Sequence, residues 1–572
     1  MISPNWTIPQ VLATYPAARS VFDRHGLQGC GGERGPEETL EFFARVHGID
    51  LHRLLADLEA AENVGGSVGP YVESLADTLY RRYFRGAIAS LLTAGATLGA
   101  ALLFFMGLRE SHTSLDLFPF IQAHANAQVF GWVGLFVMGF SLQGLPRFKY
   151  VRLWRPERAA AAFVLMLFGL ALRTMAPILS GAGLPLALLG GLLQAISVLL
   201  FVTVLWRTLA SSTLKEPWDR YVMTASALFL LAAVAEPVLT WVYATAPDTG
   251  ALVRRIADFA GPFRDVQILG FAGLMIFGVA QRVLPTAFGF RDGGKRTSTV
   301  AFVFLAGGLV VDVAGWLAFR GAREPVFAIV SWAGIVMYAI GALILTFSMR
   351  GLTGGAMDRS TKFIRAAFLW LVVACVMVIV QPLYAHAVGL RFSHAYGGAA
   401  RHAFTVGFIS LMIVGVSSKV VPILVGAAPG LLPALWGPFV LIAAGNALRV
   451  AAQVMTDAVP SAAYPVMGIS GTFEVLGFAI WGVHILKLLG HRPVDAPSEA
   501  RPEKIEAGMT PAAVIAWFPQ TLEVFESFGF GTLRNPLLRR TLGRSITLES
   551  ACAMKKVDLQ KFLGDLNRRL QP

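Results

Sequence analysis

Two histidines lie inside long apolar segments of this chain. His124 occurs in LFPFIQAHANAQVFGW, and His402 occurs in RHAFTVGFISLMIVG. An ionisable side chain is costly inside a lipid bilayer and is therefore a candidate functional residue. Neutral imidazole is the usual axial ligand of haem iron, so histidines at matching depth on two helices could hold a haem between them. The alternative interpretation is that each imidazole only hydrogen-bonds a neighbouring backbone or hydroxyl group.

Other histidines could add metal ligands on the same face of the membrane. His386 ends the ninth apolar segment, His394 lies in the following loop, and His112 lies in the first loop of that face. His484 lies at the other face and cannot join them. The remaining four fall in polar segments and are predicted to be surface residues, namely His25, His47, His52 and His491.

A residue count argues against the simplest arrangement of one haem between His124 and His402. His124 lies seven residues before Gly131, whereas His402 lies five residues before Gly407, although the two glycines occupy matching positions. Two residues correspond to about 200° of helix rotation. Under strict pseudosymmetry these histidines would face different directions and could serve different haems. His402 could then pair with His386 or His394.

Four arginines are candidates for holding haem propionates through charge-assisted hydrogen bonds. Arg173 and Arg449 occupy matching positions in two apolar segments, and Asp312 occupies the third matching position. The alternative for these three residues is a set of structural ion pairs between helices. Arg264 and Arg401 lie near the outer interface, where they could equally contact lipid headgroups.

The segments that carry these residues belong to an internal repeat. Three segments have two glycines and a proline at the same spacing: VFGWVGLFVMGFSLQGLP, ILGFAGLMIFGVAQRVLP and TVGFISLMIVGVSSKVVP. The segment after each also repeats, as FGLALR, GGLVVD and AGNALR. The pattern predicts a triplication of one four-helix unit with a period of about 140 residues.

Composition predicts an all-helical polytopic membrane protein with about twelve spans. Hydrophobic residues make up 55% of the 572 residues and charged residues only 15%. The net charge of +13 gathers in loops between spans, which indicates membrane topology rather than nucleic-acid binding. The three cysteines are too few and too scattered for a disulfide framework or a thiolate metal site.

The predicted division of the chain is a soluble helical module at 1–78, a transmembrane domain at 79–488, a linker at 489–507 and a second soluble module at 508–572. An even number of spans places both modules on one side. Loops on that side carry more Lys and Arg, so both termini are predicted to be cytoplasmic in a bacterial inner membrane. His124 and His402 then lie in the outer half of the bilayer.

The two terminal modules match each other in sequence. Val11, Pro16, Phe22 and Gly26 correspond to residues 503 positions later, and after a five-residue insertion Thr39-Leu40 corresponds to Thr547-Leu548. The shared module resembles a small helical domain of unknown function that accompanies hybrid-cluster and iron-sulfur repair proteins. That domain usually carries cysteines in the loop after the glycine. Only Cys30 remains here, and it is interpreted either as a reactive thiol or as an ordinary turn residue.

QAHANAQVFGW and RHAFTVGFISLMIVGVSSK resemble the corresponding segments of the NnrS family. These are twelve-span haem- and copper-containing membrane proteins of the nitric oxide response. GWVGLFVMGF also resembles the low-spin haem helix of haem-copper oxidase subunit I. The resemblance implies haem b, with nitric oxide or another small redox ligand as a partner. It departs from the family pattern at Gln122 and Asn126, and Pro422-Ile423-Leu424 stands where the family has Gly-His-Thr-Gly-Arg, so copper is not expected.

Spans six and seven contain no histidine, which excludes oxygen reduction at a haem-copper centre. The sequence leaves open whether the protein is a haem-dependent oxidoreductase or no enzyme at all. The alternatives are a transporter without haem, and a signalling protein whose terminal modules bind a cytoplasmic protein.

Overall fold

The computed structural model describes residues 2–62, 73–112, 115–179, 181–390, 392–427, 431–490, 502, 504–534, 546–555 and 557–570. Within these residues the secondary structure is helical, and the only β contact is an isolated bridge between Thr7 and Thr39. The predicted all-helical fold class is therefore confirmed.

Among the described residues, twelve helices are long and apolar enough to cross a membrane, as the sequence predicts. They are named spans 1 to 12 in chain order: Leu75–Arg109, Leu115–Phe148, Pro156–Met175, Gly183–Ala210, Asp219–Ala244, Thr249–Phe288, Lys295–Ala322, Pro325–Ser348, Thr361–Ala387, His394–Leu424, Trp436–Met455 and Pro460–Leu489.

Spans 2, 6 and 10 form the centre of the helix bundle. Between 72% and 89% of the apolar window of each is buried, against at most 56% in any other span. Aromatic and polar contacts join them, since Phe277 stacks on Phe408 with ring centroids 5.3 Å apart and Trp132 Nε1 donates to Ser410 Oγ at 3.1 Å. The remaining spans surround this centre, mainly as the close pairs 3 and 4, 7 and 8, and 11 and 12.

The three central spans share a local irregularity. Each contains a π-helical segment, at Ala127–Gly134, Val266–Gly273 and Ala403–Ser410. Each segment begins four residues before the repeated glycine, and π-helical insertions in α-helices are frequent at functional sites. The triplication itself stays a prediction, although these positions are those expected of three matching units.

The glycine shared by spans 3, 7 and 11 allows the close pairs to form. A Cβ added to Gly169 would lie 2.7 Å from the carbonyl oxygen of Gly190, and one on Gly308 would lie 2.6 Å from the backbone nitrogen of Tyr338. Any side chain at these positions would push the paired helices apart. This agrees with the role of small residues at helix interfaces in membranes.

The amino-terminal module consists of α1 (Ile8–Thr14), α2 (Arg19–Arg24), α3 (Leu40–His47) and α4 (Leu51–Glu62). It belongs to the same compact unit as the spans. We call the ends of the spans that contact it the module ends. His47 lies in this interface and is only 9% exposed, so its prediction as a surface residue is wrong. Its position in a polar segment gave no sign that the segment packs on the spans. His491 lies outside the described residues.

The carboxy-terminal module is a separate compact unit. It contains α5 (Pro511–Trp517), α6 (Leu522–Ser527), α7 (Leu548–Lys555) and α8 (Leu559–Arg568) around Phe525 and Phe562. The starts of α5 and α6 follow those of α1 and α2 by 503 residues, and those of α7 and α8 follow α3 and α4 by 508. These offsets are the ones that the sequence correspondence implies. The domain boundaries themselves stay predictions.

Candidate functional site

His124 lies near the start of span 2, at the end opposite to the module end. Its Nδ1 is 2.9 Å from the carbonyl oxygen of Gly95 in span 1. A carbonyl oxygen can only accept, so Nδ1 carries the proton and Nε2 of the neutral ring keeps its lone pair. No hydrogen bond to this Nε2 is made by the described residues. Metal-ligating histidines are held in this way, with one ring nitrogen donating to a backbone carbonyl.

Span 1 is shaped to receive this imidazole. Gly95 ends a π-helical segment, Leu91–Gly95, and Gly99 lies one turn further along the helix. A Cβ added to Gly99 would lie 2.5 Å from Cε1 of His124 and 2.9 Å from its Nδ1. The ring therefore fits against span 1 only because residue 99 has no side chain.

His402 has the same arrangement at its own Nδ1. That atom is 3.0 Å from the carbonyl oxygen of Gly398, one turn earlier in span 10, so Nε2 again keeps the lone pair. His402 lies near enough to His124 and Arg449 to interact with both electrostatically. The two-residue offset therefore does not place the two histidines in separate parts of the protein. Their assignment to one haem or two stays a prediction.

Arg449 lies beside the two histidines with unsatisfied donors. It is 5% exposed, and neither its Nε nor its Nη1 has a hydrogen-bond partner in the described part of the chain. Asn446, one turn away and fully buried, has no partner for either amide atom. Glu474 interacts with Arg449 electrostatically, but the described residues form no salt bridge between them. Unmade hydrogen bonds of this kind cost roughly 1–3 kcal/mol each, and they include acceptors, Asn446 Oδ1 and Glu474 Oε1, as well as the donors of Arg449.

Arg173 is paired with a carboxylate instead, although its Nε also has no hydrogen-bond partner in the described residues. Its guanidinium pairs with Glu236 and donates to Thr240 Oγ1 at 2.7 Å. Glu236 also accepts from Asn126, whose amide exchanges two hydrogen bonds of 2.8 and 3.0 Å with Gln194. Arg173 therefore forms the structural ion pair that the sequence offered as the alternative to propionate binding. Asp312, at the third matching position, accepts from Ser331 Oγ at 2.7 Å.

Arg264 and Arg401 lie at the same end of the bundle as the histidines. Arg264 is half-buried and donates to Gln122 and, at 2.6 Å, to Gln267. Arg401 is exposed and lies close enough to Arg264 to interact electrostatically. With Arg449 they make three arginines at this end of the bundle, where Glu236, Asp265 and Glu474 interact with them electrostatically.

The other predicted metal ligands are not brought into this site. His386 and His394 are both exposed, and His394 makes a ring contact with Phe392. His394 is also the first residue of span 10 rather than a loop residue, because Ser393 caps the helix there. His112 bonds Thr456 at 2.9 Å, and burial lowers the pKa of His112 to about 4. Within the described residues, no group of three or more His, Cys, Asp or Glu could hold a metal ion.

Sequence reasoning missed the polar network around Glu236 and the unsatisfied amide of Asn446. Asn126 could be recognised as a polar residue of span 2 that needs a partner and as a departure from the family pattern, but its partners Gln194 and Glu236 could not be named. The partners of a buried amide lie on other spans, at no fixed distance along the sequence. A single sequence therefore does not reveal them.

Comparison with known families agrees with this architecture. Residues 79–492 match the family described as NnrS protein, and residues 505–563 match a domain of unknown function, DUF1858. A search of curated proteins returned no match to the chain. The NnrS match contains spans 2 to 12 and all but the first four residues of span 1, and it covers well over half of the sequence. The chain therefore belongs to the NnrS family, and it carries a DUF1858 domain at its carboxy terminus.

Proposed function

We propose that the protein binds haem b in the outer half of a bacterial inner membrane, where His124 of span 2 and His402 of span 10 would hold haem iron. We further propose that it acts in the nitric oxide response or in related respiratory redox chemistry. The observation that carries the proposal is the state of the two imidazoles. Both donate Nδ1–H to a backbone carbonyl and leave Nε2 available.

The surroundings of the histidines fit a dianionic porphyrin. Propionates need cationic donors, and Arg449 has two buried N–H groups without acceptors next to both rings. Arg264 and Arg401 add positive charge at the same end of the bundle. Arg173 contributes least in this proposal, because Glu236 already neutralises it.

The role of the chain would be to hold and tune the haem. Gly95 and Gly398 fix the orientation and tautomer of the ligands, and packing against Gly99 fixes the position of His124. The haem iron, when bound, supplies a centre that can bind a small gas or exchange an electron. Membership in the NnrS family supports nitric oxide as the gas. Both terminal modules would lie in the cytoplasm, where they could contact a protein partner.

Optical spectra of the detergent-purified protein, oxidised and then reduced with dithionite, test the proposal. We expect sharp Soret and alpha bands that are lost in His124→Ala and His402→Ala. The matched controls are His386→Ala and His394→Ala, which should keep the bands because those rings are exposed. Equal loss of the Soret and alpha bands in the control variants would show that the ligand assignment is wrong. Intact protein without haem would reject the haem function and favour the transporter, the alternative that the repeat and the buried polar groups support.

A further inference from the structure

The amino-terminal module contacts the module ends of all three central spans. Arg147 of span 2 donates to the carbonyl oxygen of Gln28, and Arg282 of span 6 donates to that of Val46 at 2.9 Å. The backbone nitrogen of Gly31 donates to the carbonyl oxygen of Leu424 in span 10 at 3.1 Å. The module is thus docked on the bundle through its backbone.

A cavity remains at this interface, which we call the junction cavity. Its walls come from α3 and the glycine-rich loop of the module and from spans 2, 6 and 10. Most of the lining is apolar, with Phe140, Val283 and Ile423 as examples from the three spans. Three polar side chains, Glu38, Gln143 and Thr286, also line it, and so does the pair of His47 and Arg147.

Both His47 and Arg147 are buried with unmade hydrogen bonds. His47 is 9% exposed and its Nδ1 has no partner, while Arg147 is 6% exposed and its Nε has none. These statements concern the described residues, which include every lining residue of the cavity. Each unmade bond costs roughly 1–3 kcal/mol, and the two side chains line one cavity, His47 from the module and Arg147 from span 2. This geometry points to a ligand that accepts from both.

The charges around the cavity favour an anion. Arg147 is a permanent cation, and its partner Asp77 is 3.4 Å away on the side of span 1. Burial raises the pKa of Glu38 to about 8 and lowers the pKa of His47 to about 3, so both are uncharged at pH 7. Burial also raises the pKa of the Cys30 thiol. The groups that line the cavity therefore offer donors and the positive charge of Arg147, which forms a salt bridge with Asp77 outside the lining.

We propose that the junction cavity binds a small organic monoanion, namely a carboxylate with a short apolar chain. The carboxylate accepts from Arg147 and from the Nδ1–H tautomer of His47, and the chain packs against the apolar lining. Such a ligand contacts the module and all three central spans at once. It therefore stabilises the docked module.

Equilibrium dialysis of radiolabelled hexanoate against the full-length purified protein tests this site. We expect saturable binding of one hexanoate per chain, with a Kd below about 1 mM. Acetate has the charge without the chain, and hexanol has the chain without the charge. Each should compete at least about tenfold more weakly. Absence of saturable binding, or hexanol competing as well as hexanoate, would overturn the proposal.

Two variants distinguish a loss of hexanoate binding from a loss of protein stability. His47→Phe keeps a ring beside Phe43, whose centroid is 4.3 Å away, and removes the unpartnered nitrogen. Its melting temperature without ligand should equal or exceed that of the wild type, while hexanoate binding weakens at least about tenfold. Arg147→Lys keeps the charge and loses Nε–H, and it should also weaken binding. His52→Phe, at an exposed position of the same module, is the control. Unchanged binding in both cavity variants would refute the assignment.

Discussion

The position of His124 against span 1 makes Gly99→Ala the sharpest test of the proposed haem site. The new Cβ would lie 2.5 Å from Cε1 of the ring, whereas carbon atoms in contact are normally about 3.5–4.0 Å apart. The ring must therefore move by about 1 Å or more. Metal–ligand distances are expected to stay within about 0.2 Å of their ideal values. A methyl group on a neighbouring helix should thus remove His124 from ligation without altering any ligand.

The assay is the haem content per chain, from the Soret absorbance and the protein concentration, in wild-type protein and variants. Gly99→Ala should lose haem to the same extent as His124→Ala. Gly321→Ala is the matched control, since that glycine lies in the helix of span 7 and an added Cβ would meet nothing within 4 Å. Elution as a single species in size exclusion checks that each variant is folded. Wild-type haem content and an unchanged Soret band in Gly99→Ala would refute the geometry proposed for His124.

Further predictions concern charge, pH and topology. Arg449→Gln should lower haem content with little loss of thermal stability, because two of its nitrogens make no hydrogen bond, and haem content in the stably folded variant decides this. Arg173→Leu should instead lower the free energy of unfolding by about 3–5 kcal/mol, measured by thermal melting, because it leaves Glu236 buried without its partner; a neutral result would contradict the ion pair. The pKa of Glu38 rises from 4.5 to about 8 on burial, so its ionisation opposes folding and stability falls as pH rises through this range. Glu38→Gln should raise the melting temperature by more at pH 8.5 than at pH 5, and an equal effect at both would exclude this titration. Alkaline phosphatase fused to either terminus should be inactive if both termini are cytoplasmic.

Hydrophobic length and repeated glycines allow the number and order of the spans to be predicted from the sequence. Span 10, for example, contains the third of the repeated glycine and proline segments and extends over His394–Leu424. The terminal modules were predictable for a similar reason, since their helix periods are local. The docking of the amino-terminal module on the spans was not predictable. It depends on backbone carbonyls such as those of Gln28 and Val46, which every residue carries and no sequence pattern distinguishes.

In the candidate site, too, the sequence reveals the residues that are unusual in their own segment but not their hydrogen-bond partners. His124 and His402 could be chosen because an imidazole inside an apolar segment is unusual in any context. Their acceptors, Gly95 and Gly398, could not be chosen in advance. One comes from another span, and the other is one of many glycines one turn away from a polar residue.

Arg173 and Arg449 occupy matching positions of the predicted repeat but have different charged neighbours. This difference favours Arg449 as the residue that binds the proposed ligand. The partner of Arg173 is Glu236 on span 5, which lies outside the paired helices 3 and 4. Arg449 faces Glu474 on its paired helix, without a salt bridge between them in the described structure, and keeps two unpaired donors. A repeated scaffold would place both arginines at the same depth and on the same helix face. Only the surrounding spans decide which of them forms a salt bridge, so we expect the arginine without one, Arg449, to be the one that binds an anionic group.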